Sequence, residues 1–292
     1  MPRRICGRER SPRRIEESGE MSAVIAIANH KGGVAKTTTC LSLGGALAEQ
    51  GFQVLLVDLD PQAHLTLSLG IRPEEVRYSV AEALLAQKSL VAVSRETRVM
   101  GLDLAPASSD LVVLDKVLYG HRGYEYRLKR ALVQTSLPYD FVLMDCPPSF
   151  GTLTINALTA ADLLVIPVQC EFYAWRSLRS VLELVTVVRG KTNPSLRYRL
   201  LVTMYDVRSR THRLILDQLR RFFPQALFQT LVQVDARLRE SPAHGLPITH
   251  YAPRTRASEQ YRAVAQEIRA CFSVAPVVLS SPATAAQHPV IV

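Results

Sequence analysis

The sequence predicts an α/β fold: a single doubly wound, mostly parallel twisted sheet with helices on both faces. Three observations point to it. Short runs that are apolar throughout alternate with stretches of helical periodicity, the pattern of consecutive βα units. The 292 residues, 48% of them apolar, are enough for one large domain with a filled core. The glycine-rich and acidic segments each fall directly after an apolar run. That places them at the carboxyl edge of the sheet, where open α/β sheets bind ligands.

Taken in order, residues 24–28 (Val-Ile-Ala-Ile-Ala) form the first strand. After a glycine-rich turn, Cys40, Leu43 and Leu47 share one face of a helix, and Gly51 ends it as a C′ residue would. Residues 54–57 (Val-Leu-Leu-Val) read as a strand buried on both faces, followed by a helix near 79–86 and a short strand at 102–105. Helical patterns cover 108–118 and 124–135. The strand at 141–144 (Phe-Val-Leu-Met) leads into a helix near 152–160, and the strand at 163–167 into a long helix over 173–189. Residues 199–204 form the next strand. Helices near 211–222, 236–242 and 256–271 close the fold, with a further strand near 227–232.

The two ends differ from this core. Residues 1–20 carry Arg3, Arg4, Arg8, Arg10, Arg13 and Arg14 and lack the apolar stretch of a secretory signal, so a disordered basic extension is expected, with Met21 as the natural start. The domain proper is expected over 21–273. Residues 274–292 hold no Asp, Glu, Lys or Arg and three prolines, and read as a disordered tail. No apolar run reaches the roughly 18 residues of a membrane helix. The five cysteines are scattered without metal-ligand spacing, so reduced thiols are the simpler expectation. The net charge of +9 is compatible with nucleic-acid binding without requiring it.

The most informative stretch is Asn29-His-Lys31-Gly32-Gly33-Val34-Ala35-Lys36-Thr37-Thr38-Thr39, set between the first strand and the first helix. A strand, a glycine-rich turn and a helix start make a phosphate cradle: backbone N–H groups point at the anion and the helix dipole favours negative charge. In such a loop Lys36 reaches the β- and γ-phosphates and the Thr37 hydroxyl sits on Mg2+. The stretch departs from the usual G-x-x-x-x-G-K-[ST] pattern, with His30 and Ala35 at the two outer glycine positions, and it adds a second lysine, Lys31.

Acidic residues complete the expectation. Asp145 ends a buried strand, in the position from which a phosphate-loop enzyme holds Mg2+ directly or through water. Asp58 and Asp60 follow the neighbouring strand at i, i+2 spacing. One is suited to the magnesium shell and the other to positioning the attacking water, with helix capping as the simpler alternative.

With these motifs in place, residues 22–272 closely resemble the ParA/Soj family of partition ATPases, phosphate-loop proteins with a deviant Walker A motif. The resemblance rests on Lys31-Gly-Gly-Val-Ala-Lys-Thr-Thr-Thr39, Val57-Asp-Leu-Asp-Pro-Gln62, Asp145-Cys-Pro-Pro-Ser149, Leu153-Thr-Ile-Asn-Ala-Leu-Thr-Ala160, Ile166-Pro-Val-Gln-Cys-Glu171, Met204-Tyr-Asp-Val-Arg208 and Arg254-Thr-Arg-Ala-Ser258. It implies an ATP- and Mg2+-dependent ATPase in which Lys31 reaches across a homodimer to the partner's ATP. Gly32 would lie where the monomers meet, and residues 32–38 would cradle the nucleotide. Asp60 would orient the hydrolytic water, and Thr37, Asp58 and Asp145 would serve the metal. It further implies that the ATP-bound dimer binds double-stranded DNA without sequence preference through Arg208 and Arg237, in the cytoplasm on the nucleoid. A ParB-like centromere-binding partner would release it by stimulating hydrolysis. Arginine suits such contacts because its planar fork meets phosphate with two bonds.

Three departures from the family pattern stand out. Ala35 replaces a glycine; if that position needs positive φ, it costs on the order of 1 kcal/mol, and nucleotide binding is expected to survive. Gln233-Val-Asp235 stands in place of Pro-Arg-Asn, and His64 lies in a segment that is usually small and polar. Alternatives differ in cargo or class. The same machine can position a protein cargo on the nucleoid. A MinD-like membrane role needs a basic amphipathic C-terminal helix, which the uncharged tail does not offer. A redox role like that of the nitrogenase iron protein needs cluster-ligating cysteines.

Overall fold

The structure, a computed structural model, describes residues 22–133, 138–172 and 174–273. The expectations for residues 1–20, Met21 and 274–292 lie outside the described residues.

In chain order the elements are β1 (Ala23–Ile27), α1 (Lys36–Glu49), β2 (Val54–Asp58), α2 (His64–Ser68), α3 (Val80–Leu84), α4 (Leu90–Val93), β3 (Arg95–Glu96), β4 (Leu102–Ala105), α5 (Asp110–Leu118), α6 (Arg127–Val133), β5 (Phe141–Asp145), α7 (Thr152–Ala160), β6 (Leu163–Gln169), α8 (Ala174–Lys191), β7 (Arg197–Thr203), α9 (Arg210–Phe222), α10 (Arg237–Glu240), α11 (Ile248–Tyr251) and α12 (Arg256–Ser273). The seven strands form one sheet in the order β3-β4-β2-β5-β1-β6-β7, parallel throughout except for β3 against β4. This is the doubly wound α/β class that the sequence predicts.

Strand side chains alternate between two cores, as a period of two requires. Val24, Ala26, Leu55 and Val57 face a cluster that includes residues of α3, α5, α7, α8 and α9. Ile25, Ile27, Val54 and Leu56 face the other, with residues of α1, α11 and α12. Because both faces are covered, the inner strands β1, β2, β5 and β6 are apolar at nearly every position. Pro167 is tolerated inside β6 because it lies beyond the residues that pair with β1.

The register positions the site. Ile27 and Asp58 both pair with Asp145, so β1, β2 and β5 end level at the carboxyl edge. The glycine-rich loop leaves β1 at that edge, between the two directions of winding.

Several elements differ from the sequence expectation. The strand expected near 227–232 is an irregular segment running along β7. Leu200 donates to the Ala226 carbonyl, and Phe228 and Val232 donate to the Leu200 and Val202 carbonyls. The ladder breaks between them because the Glu267 carboxylate of α12 takes the Gln229 and Thr230 amides, at 2.8 and 2.9 Å. The helix expected over 124–135 is a 3-10 turn at Tyr124–Tyr126 followed by α6, with 134–135 outside the described residues. The helix expected at 236–242 is α10 running into a 3-10 turn at Ser241–His244. Short elements α2, α4, α11 and β3 carry too few residues to show a period.

Candidate functional site

The loop between β1 and α1 is held from several sides. Asn29, buried at its base, donates to the Pro167 carbonyl of β6 at 2.7 Å. Its Oδ1 accepts the Lys31 amide at 3.0 Å and the Ser177 hydroxyl of α8. Gln169 at the end of β6 donates to the Gly33 carbonyl at 3.0 Å, and Thr203 at the end of β7 donates to the Val34 carbonyl at 3.1 Å. The loop's own carbonyls are thus tied down along its outer side. Gly33 has φ +72°, and a Cβ on Gly32 or Gly33 would meet nothing within 4 Å, so the backbone here stands open to an incoming group.

Ala35 is the N-cap of α1 and adopts φ +65°, ψ +35°. The left-handed conformation is therefore required, and alanine holds it at a cost of about 1 kcal/mol. The Thr39 amide donates to the Ala35 carbonyl at 2.9 Å, so the helix begins directly from the strained residue.

A cavity of about 660 Å3 opens at this edge. Gly32, Gly33, Ala35, Lys36, Thr37 and Thr38 of the loop line it together with Asp60, Gln62, His64, Leu67, Pro148, Met204 and Pro242. Lys36, largely buried, donates to the Lys31 carbonyl at 3.3 Å. Burial lowers its pKa, and the Asp145 carboxylate opposes that shift.

Asp145 is fully buried. Its Oδ2 accepts the Thr37 hydroxyl at 2.7 Å, while its Oδ1 is buried without a hydrogen-bond donor. A buried carboxylate oxygen of this kind, beside a threonine hydroxyl, fits a hard cation. Burial drives the Asp145 pKa well above the carboxylate range, and the Asp58 carboxylate drives it further.

Asp58 is held by the turn that follows it. Its Oδ1 accepts the Asp60 amide at 3.1 Å, and its Oδ2 accepts both the amide and the hydroxyl of Thr66, at 2.8 and 2.7 Å. The carboxylate is fully buried, and these bonds fold the turn that leads into α2. It also caps α2, whose N-cap residue Ala63 offers no side-chain acceptor. Burial raises the Asp58 pKa to about 7. Asp60 points the other way: it lines the cavity, and its Oδ1 accepts the Gln62 amide at 2.9 Å.

Lys31 and Val34 lie outside the cavity wall. Val34 is buried against β7. Lys31 forms an ion pair with Glu171 and donates to the Gln169 side chain at 3.2 Å.

The two expected DNA contacts lie on a separate surface. Tyr205 exchanges backbone bonds with Val232 and Val234, at 3.0 and 3.2 Å, so the loops carrying Arg208 and Arg237 run side by side. Arg208 is 88% exposed, and its guanidinium donates to both Asp206 oxygens at 3.1 Å. Those bonds hold the Asp206 carboxyl down at about 2. Arg237 is exposed, with its amide on the Asp235 carboxylate at 3.0 Å. Arg256 joins this surface by donating to the Val234 carbonyl at 3.3 Å, and Arg210, Arg213 and Arg239 are exposed nearby in sequence.

Residue-by-residue inspection of the sequence assigns no role to Asn29, Thr66, Gln169 or Met204. Asn29, the first polar residue after an apolar strand, carries a readable signal. Met204, which lines the cavity with φ +51°, carries none.

A doubly wound sheet with a Lys-Thr loop at its carboxyl edge defines the phosphate-loop class of nucleotide-binding proteins. Comparison with known proteins narrows the class. The family model described as an AAA domain matches residues 22–198. The sporulation initiation inhibitor protein Soj of Bacillus subtilis is 41% identical over 251 residues, covering 86% of this chain and 99% of that protein. The chromosome partitioning protein ParA of Myxococcus xanthus is 36% identical over 246 residues, covering 84% of this chain and 87% of that protein. Among solved structures, cobyrinic acid a,c-diamide synthase from Mycobacterium smegmatis, with bound ADP and magnesium, superposes with a TM-score of 0.76 at 37% identity and covers 87% of this chain and 96% of that one. The chain belongs to the Soj/ParA family of partition ATPases.

Proposed function

We propose that this chain is an ATP-dependent DNA partition ATPase that binds ATP and Mg2+ in the cavity, pairs with a second copy, and then binds DNA without sequence preference. The observation that carries this reading is the convergence at one sheet edge. Lys36, Thr37 and Asp60 face one cavity, and Asp145 beside them keeps a buried oxygen without a donor. Relatives named for chromosome partitioning and a similar structure holding ADP and magnesium support it.

The loop amides and Lys36 would hold the phosphates, with Lys36 neutralising charge on the β/γ oxygens. Thr37 and Asp145 would hold Mg2+, which when bound neutralises charge developing on the phosphates. Phosphate and water oxygens would complete the shell. Asp60 would orient the attacking water and accept its proton. Asp58 shapes the segment that presents Asp60.

Lys31 would be given to the partner chain's nucleotide. A site complete only when two chains meet ties ATP binding to dimerisation. Arg208 and Arg237, doubled in the dimer, would contact DNA phosphates on the nucleoid, and a ParB-like partner would stimulate hydrolysis and release. Equilibrium titration with a fluorescent ATP analogue and magnesium tests the base of this scheme. The wild-type chain should bind and Lys36→Ala should lose binding; equal binding by both would remove the cavity assignment.

A further inference from the structure

The ion pair between Lys31 and Glu171 lies beside the nucleotide cavity but belongs to neither its wall nor the arginine surface. The Lys31 side chain is 30% exposed and that of Glu171 49%. The Lys31 ammonium also donates to the Gln169 side chain at 3.2 Å. Gln169 is itself fixed: its side-chain nitrogen donates to the Gly33 carbonyl at 3.0 Å, and its backbone carbonyl accepts the Glu171 backbone amide at 2.9 Å. The end of β6 therefore forms a rigid bracket that turns the lysine along its own subunit, with its charge neutralised.

We propose that Glu171 is a positioning residue that holds Lys31 in the unpaired chain and so sets the threshold for ATP-driven pairing. This rests on the reading that Lys31 is given to the partner's nucleotide. An ammonium held by Glu171 is not available to a phosphate in another subunit, so each pairing event breaks two such ion pairs, one per chain. An exposed ion pair biases an equilibrium by about 1.4- to 5-fold, and two together by about 2- to 30-fold. The bracket keeps chains apart at low ATP occupancy without closing the nucleotide cavity, because Glu171 does not line it.

The test is sedimentation velocity over a protein dilution series, with a non-hydrolysable ATP analogue and magnesium. Wild type, Glu171→Gln, Glu171→Asp and Lys31→Ala are compared. Glu171→Gln, which removes the charge and keeps the shape, should pair at about 2- to 30-fold lower concentration than wild type. Glu171→Asp, which keeps the charge, should stay closer to wild type than Glu171→Gln does. Glu171→Gln pairing at the same or a higher concentration than wild type would overturn the proposal. Lys31→Ala pairing as wild type does would instead overturn the reading of Lys31 on which it rests.

Discussion

The nucleotide loop and the arginine surface are built in opposite ways. The loop is pinned by Asn29, Gln169 and Thr203, begins its helix from a strained Ala35, and backs onto carboxylates that are fully buried. The arginine surface rests on irregular backbone pairing along the edge of β7, and Arg208 extends into solvent with Asp206 as its counterion. The contrast follows from what each would bind. A triphosphate and a metal need groups fixed to within a fraction of an ångström. A DNA backbone read without regard to sequence needs only charge at roughly the right spacing.

If that contrast is right, substitutions in the loop should act on chemistry and those on the surface on affinity and salt dependence. The largest effect is expected from Asp60→Ala. Turnover measured by phosphate release should fall about 100- to 10,000-fold, with ATP-dependent pairing retained. Loss of pairing would show that Asp60 shapes the site and does not orient water. Next, Arg208→Ala with Arg237→Ala should weaken DNA binding. The slope of log affinity against log salt should fall by about 0.9 for each phosphate contact removed. Binding isotherms with an unchanged slope would move the DNA surface elsewhere, with Arg256 and Arg210 the next positions to change.

A third prediction concerns the buried acids. Asp58 is raised from 3.8 to about 7 and Asp145 well above its ordinary value, so the folded chain holds protons that the unfolded chain releases. The Asp58 contribution to stability is full below pH 3.8 and is lost as pH rises to about 7, and the Asp145 contribution is lost in the same direction. Thermal melts of the ligand-free protein should therefore show a term that falls across this window. Asp145→Asn should flatten it and should also weaken magnesium-dependent nucleotide binding. A slope unchanged in that variant would place the protons elsewhere. The smallest effect is expected from Ala35→Gly, which relieves the left-handed alanine at the cost of extra freedom in the unfolded chain. A gain of about 0.5–1 kcal/mol should appear as a modest rise in melting temperature.

The sequence made the loop legible because each of its requirements is local: an apolar strand, a glycine pair, and a Lys-Thr helix start. Whether position 35 needs positive φ was left open by the sequence, and the structure has Ala35 at +65°. Asp58 was less legible than Asp60. Both end the same apolar run, and only the return of Thr66 onto Asp58 separates a capping carboxylate from one that faces the cavity. The bracket at Gln169 and Glu171 was not legible from spacing, since its contacts reach back roughly 140 residues to the loop. The segment after α9 looked like a strand because its residues are apolar. Whether it completes a ladder was decided by Glu267, far along the chain.

The central claim is that the rigid site controls the loose one: nucleotide in the loop decides whether the arginines hold DNA. The most direct measurement is binding of wild-type protein to a random-sequence duplex without nucleotide, with ADP and magnesium, and with ATP and magnesium, at fixed salt. Binding that appears only with ATP and magnesium is the predicted result. Equal affinity in all three conditions would contradict the account.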